Sequence, residues 1–119
     1  MKLGEIIRCL ENFERGNTVR FDFCHFNPTV LASSRGYYHQ LALGYEPPNG
    51  NTVTVGKLLD HCRSAVGKTF DGYKGGKYKM DLNTDVYVDN YGEWTETCIV
   101  DIVPAPYRTV IIVTAQEEF

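Results

Sequence analysis

The chain has no apolar run approaching the roughly 20 residues needed to span a bilayer. Its opening, MKLGEIIRCLENFERG, carries acidic residues within a helical pattern and does not have the form of a secretory signal. A cytoplasmic protein with no membrane partner is therefore expected. There is no basic excess either: 12 Lys and Arg stand against 15 Asp and Glu, for a formal charge of −3. That balance argues against polymeric nucleic acid as a partner and leaves room for a local basic site.

Metal-ligand spacing is missing too. Cys9, Cys24, Cys62 and Cys98 stand far apart with no C-x-x-C, and without a secretory signal free thiols are expected. The neighbours Cys24–His25 and His61–Cys62 make poor chelates. Adjacent side chains point to opposite faces of a strand and diverge by about 100° on a helix. No metal or other cofactor is expected. The catalytic signatures are equally absent. Gly75–Gly76–Lys77 runs into Tyr78, and position 71, where a phosphate loop needs its first glycine, is Asp. There is no G-x-S-x-G and no H-E-x-x-H. The acid pairs Asp81/Asp85 and Asp89/Glu93 are better explained as polar turn residues than as acid–base catalysts. No internal repeat, low-complexity run or linker divides the chain, so residues 1–119 are read as one domain.

What is present describes an α+β domain. Leu3, Ile6, Ile7, Leu10 and Phe13 recur at helical spacing and predict a helix over about residues 2–14, ended by Gly16–Asn17. Thr54 is placed to cap a second helix over about 55–66, with Val55, Leu58, Leu59, Cys62 and Val66 on one stripe and Gly67 as its stop. Strands are predicted from period-two alternation at Thr18–Cys24, from Leu41 and Leu43 sharing a face at Gln40–Tyr45, and from β-rich composition at Thr97–Val103 and Thr109–Thr114. In the first of these, Val19, Phe21 and Phe23 share one side, while Arg20 and Asp22 face the other and are expected to pair with cross-strand neighbours. Pro28 marks an edge or a bend within 25–32. The last strand is apolar on both faces, as befits a strand inside its sheet or covered by a partner. Tyr78–Met80 and Asp85–Val88 flank an Asp81–Thr84 turn. Two helices packed on a mostly antiparallel sheet of five to seven strands is the expected architecture.

Chemistry concentrates in two stretches. Thr69–Trp94 is rich in glycine and tyrosine and holds the one Trp. Glycine turns expose backbone N–H groups that accept an anion, and Tyr or Trp offers a flat face for stacking. Ser33–Tyr38 sets two hydroxyls, Arg35 and two phenols around Gly36. Arg35, Arg63 and Arg108 can neutralise phosphates. Stacking faces, anion-accepting turns and arginines together favour a small ligand carrying a base and phosphates, and a binding role over catalysis.

The series FDFC (21–24), Pro28–Thr29, SSRGYYHQLALG (33–44), TVGKLL (54–59), VGKTFDGYKGGKYKM (66–80) and TDVYVDNYG (84–92) resembles the first-described phage anti-Thoeris proteins, over roughly Phe21 to Thr114. The resemblance implies a sponge for a cyclic ADP-ribose isomer, the alarm signal that a TIR-domain enzyme makes from NAD. Such a sponge binds its ligand tightly and does not cleave it. It also implies a homo-oligomer built from dimers with ligand pockets at subunit contacts, and in some members separate sites for small cyclic oligonucleotides. Carried onto this chain, Asn90 matches the family's ligand-binding Asn, Tyr78 or Tyr87 its base-stacking aromatic, and Arg108 a phosphate arginine, with Arg35 and Arg63 as weaker matches. Two other classes stay open: a hydrolase of a nucleotide signal, and a protein–protein inhibitor of a host defence protein.

Overall fold

A computed structural model describes residues 1–23, 27–34, 37–46, 52–72, 75–89 and 96–117. The N-terminal apolar stripe forms helix α1 (Leu3–Glu11), with Leu3, Ile6, Ile7 and Leu10 buried. It stops short of Phe13 because the N–H groups of Asn12 and Phe13 bond to the carbonyls of Cys9 and Leu10, three residues back, tightening the last turn. The first N–H groups of a helix have no internal acceptor. Here Leu3 and Gly4 donate to the carbonyls of Thr84 and Leu82, both at 2.9 Å. A Cβ on Gly4 would sit 3.1 Å from the Leu82 oxygen, a tight contact that favours glycine here.

Helix α2 (Val55–Ala65) begins as predicted, with the Thr54 hydroxyl accepting the Lys57 N–H. Its remaining early donors, Val55 and Gly56, bond to the carbonyls of Asn17 and Arg15. The Arg15 guanidinium then reaches both carboxylate oxygens of Asp60, at 2.8 and 2.9 Å. Gly67, at φ 77°, turns the chain out of the helix.

The strands are β1 (Thr18–Phe21), β2 (Asn27–Ser34), β3 (Tyr37–Glu46), β4 (Thr69–Asp71), β5 (Lys77–Lys79), β6 (Val86–Val88), β7 (Glu96–Ala105) and β8 (Thr109–Glu117). Six of them form one sheet in the order β1-β8-β7-β6-β3-β2, and β4 and β5 form a separate ribbon. The expectation of a mostly antiparallel sheet is corrected: β1/β8 and β3/β6 pair in parallel, so the sheet is mixed. The reason is topological. After β3 the chain crosses through α2 and the ribbon before returning beside β3 as β6, and such a crossover delivers a parallel strand. The turn at Asp81–Thr84 forms as predicted, closed by the Thr84 N–H on the Asp81 carbonyl. Its flanking strands nevertheless belong to different sheets, β5 with β4 and β6 with β3 and β7. Pro28 lies on the edge strand β2, where a register shift follows it. The apolar β8 lies inside the sheet, between β1 and β7.

The sheet curls until its two end strands, β1 and β2, touch, giving a barrel-like shell. The ring of Tyr45 on β3 meets Phe21 and Phe23 edge-on, with centroids 5.8 and 5.6 Å apart, along the seam. The helices close the concave side, and a single buried cluster runs through both: Leu3, Leu10, Phe21, Leu41, Leu58 and Ile112 are each 2% exposed or less. Cys9, Cys62 and Cys98 are free thiols. Burial pushes the Cys62 thiol up to about 12, so it stays protonated within the core. Cys24 lies outside the described residues. Among the described residues no helix is long and apolar enough to cross a membrane.

Phe21 is fully buried and anchors the seam. Replacing it with Ala should destabilise the fold by about 3–5 kcal/mol, read as a lower midpoint in urea unfolding. An unchanged midpoint would show that the seam does not hold the sheet.

Candidate functional site

Strand directions sort the chemistry into two ends of the shell. β1, β3, β6 and β8 finish at one end, where β2 and β7 begin, as their registers require. A cavity of about 430 Å³ opens there. This is the mouth of the curled sheet, a usual place for a ligand pocket. Phe23 and Tyr45 supply its aromatic wall, Thr97, Thr114 and Gln116 its neutral polar wall, and Asp22 and Asp89 its two carboxylates. Phe23 is 49% exposed despite its position beside the core, so its ring is available at the rim.

Asp22 is held in place. One carboxylate oxygen accepts the Thr114 hydroxyl at 2.7 Å, and the other accepts the Thr114 N–H at 3.0 Å. The Asp22 N–H itself donates to the Ile112 carbonyl. An ionised carboxylate offers about four acceptor positions, so two remain for a ligand after Thr114 is bound. No Lys, Arg or His is among the described residues that line this mouth.

Of the residues predicted from sequence, those that are described lie on four different elements or turns. Arg35 and Asn90 lie outside the described residues, although Asn90 directly follows Asp89 of the mouth. Tyr87 is half-buried on β6, between Ala42 of β3 and Cys98 of β7, on the face opposite the buried Val86 and Val88. Tyr78 packs against the core from the β4–β5 ribbon, close under Gly76, whose added Cβ would come within 3.4 Å of the ring. Arg63 pairs with Glu11 at 3.3 Å and ties α2 to α1.

Arg108 is at the other end of the shell, in the turn joining β7 to β8. It lies about six residues, or roughly 20 Å of strand, from Thr114. That turn is conformationally unusual. Tyr107 and Arg108 both have positive φ, 61° and 53°, and Tyr107 is 97% exposed. Left-handed backbone costs a non-glycine residue about 1–2 kcal/mol, and this exposed ring recovers none of it by packing.

A second cavity, of about 410 Å³, lies between α2 and strands β2 and β4, lined by Leu31, Asp60, His61 and Phe70 among others. Its acid is already tied to Arg15, and its Lys68 ammonium lies over the Phe70 ring. Among the described residues no group of three or more His, Cys, Asp or Glu is arranged to hold a metal ion.

None of Asp22, Phe23, Tyr45 and Asp89 was predicted as a ligand-binding residue: Asp22 was expected to pair across strands, and Asp89 was weighed with Glu93 and read as a polar turn residue. The available signal was the alternation of F-D-F at the end of a strand, which puts an acid between two aromatics. Its partner Tyr45 comes from β3 and could be placed only by the fold. Comparison of the chain with protein-family models, with characterised proteins and with solved structures finds no match.

Replacing Tyr107 with Gly relieves one left-handed position and should raise stability by about 1 kcal/mol, measured by thermal unfolding. A loss of stability would mean that the ring makes a contact within the fold.

Proposed function

We propose that this protein captures a cyclic ADP-ribose-type nucleotide signal and holds it intact, acting as a phage counter-defence sponge in the cytoplasm of an infected bacterium. The observation that carries this reading is the barrel mouth. It combines a stacking surface, hydrogen-bonding walls and a volume suited to a nucleotide portion, immediately beside the segment that contains Asn90. Sequestration needs those features and no nucleophile. Tight capture at nanomolar dissociation constant corresponds to about −12 kcal/mol, which a cavity open on one side reaches more readily when a second surface covers the ligand.

The two-ended arrangement bears on that covering surface. The mouth has no described cation, while Arg108 stands at the far end of the same chain. Phosphate neutralisation by Arg108 at this mouth therefore calls for a second copy of the protein, in keeping with a homo-oligomer whose pockets form at subunit contacts.

Isothermal titration with cyclic ADP-ribose isomers, followed by heating the complex and analysing the released ligand, tests the proposal. Tight binding with unaltered ligand recovered is the expected result, and Asn90→Ala should weaken binding at least about tenfold, the loss of roughly one hydrogen bond to a charged or polar ligand group. Recovery of a cleaved ligand would instead make the protein a hydrolase. Absence of binding would leave inhibition of a host protein as the better reading.

A further inference from the structure

The charged side chains among the described residues of the mouth, Asp22 and Asp89, are both acids, and this restricts which part of a nucleotide can enter it. We infer that the Asp22 carboxylate receives the vicinal diol of a ribose, and that the mouth rejects the same ribose when one of those two hydroxyls bears a phosphate. The inference rests on the nucleotide-binding reading and adds to it the orientation of the ligand and a rule of selectivity.

Three observations lead here. Asp22 is anchored through both oxygens by Thr114, which fixes the carboxylate plane before any ligand arrives. A preset acceptor of this kind suits a diol, whose two hydroxyls donate to the two oxygens of one carboxylate. Asp89 adds a second acid to the same cavity, with no Lys, Arg or His among the described lining residues. A phosphate placed there would meet the like charge of Asp22 and Asp89 with no cation among the described lining residues, which costs several-fold to many-fold in affinity. Finally, Phe23 and Tyr45 stand on the same wall system, so a base stacked on either ring brings its attached ribose toward the acids. Carboxylates elsewhere read ribose hydroxyls in this way, and an arginine replaces them where a 2′-phosphate must be accepted. The phosphates of the ligand then point out of the mouth, toward whatever covers it.

The test uses adenosine, adenosine 5′-monophosphate and adenosine 3′-monophosphate as probes, titrated into the intact protein and followed by the amide resonances of Asp22, Thr114 and Ala115. Adenosine and the 5′-monophosphate should shift these amides with similar affinity. The 3′-monophosphate should bind at least about tenfold more weakly, as like-charge juxtaposition predicts. Asp22→Asn should preserve the fold, because its amide can accept the Thr114 N–H and donate to the Thr114 hydroxyl, which rotates to receive it. In that variant the preference should shrink to within about threefold, and Asp89→Asn should narrow it as an independent check. Equal or tighter binding of the 3′-monophosphate by the unaltered protein would overturn the inference, as would adenosine leaving the three amides unmoved. The cyclic ADP-ribose titration is separate: its failure removes the sponge, whereas loss of phosphate discrimination removes only the ribose orientation.

Discussion

Tyr45 meeting Phe21 and Phe23 along one seam fixes the curvature of the sheet, and curvature decides how much surface the helices must cover. A flat sheet of six strands would present far more apolar area than helices of nine and eleven residues can shield. Once curled, the inner face narrows to a channel that α1 and α2 can close, and the buried cluster becomes continuous. The helices are in turn docked by their own unsatisfied ends. The early N–H groups of α1 take carbonyls from the Asp81–Thr84 turn, and those of α2 take carbonyls of Arg15 and Asn17. Curvature, helix placement and the connecting turns therefore stand or fall together.

The same curl creates an inside end, and the chemistry divides accordingly. One end gathers aromatic rings, hydroxyls and acids around a hollow. The other projects a tyrosine and an arginine on a turn whose backbone would be more comfortable as glycine. Within the fold the carbonyls of that turn are used: Arg108's accepts the Thr18 N–H and Tyr107's the Thr109 hydroxyl. The acids and the rings of the mouth thus stand at one end, and the exposed tyrosine and arginine at the other.

The local features were readable from sequence. The stripe from Leu3 to Leu10, the Thr54 cap, the Gly67 stop and the Asp81 turn each depend on residues within one or two helical turns of each other. The partners of the strands were not readable. That β6 lies parallel to β3, and β1 parallel to β8, depends on crossovers whose return positions no periodicity encodes. The three-residue β4 was missed because T-F-D is too short for alternation to register. The mouth was missed for the same non-local reason: Asp22 was legible as an exposed alternate on its strand, but its union with Tyr45, Asp89 and Thr114 joins four distant segments. Family likeness pointed instead to Asn90, which adjoins that mouth in the chain.

The parallel pairing of β1 with β8 sets Thr18 beside Thr109 and Phe21 beside Ile112. During synthesis on the ribosome, β1 emerges early and waits while about ninety residues follow it, a separation that loop-closure entropy makes slow to bridge. Phe21 can meet Tyr45 once β3 has emerged, but until β8 arrives the edge of β1 that pairs with it has no native strand to join. The nascent chain thus carries an open, apolar strand through most of its translation, and crowding or delay in that interval invites association between chains before any one of them has folded.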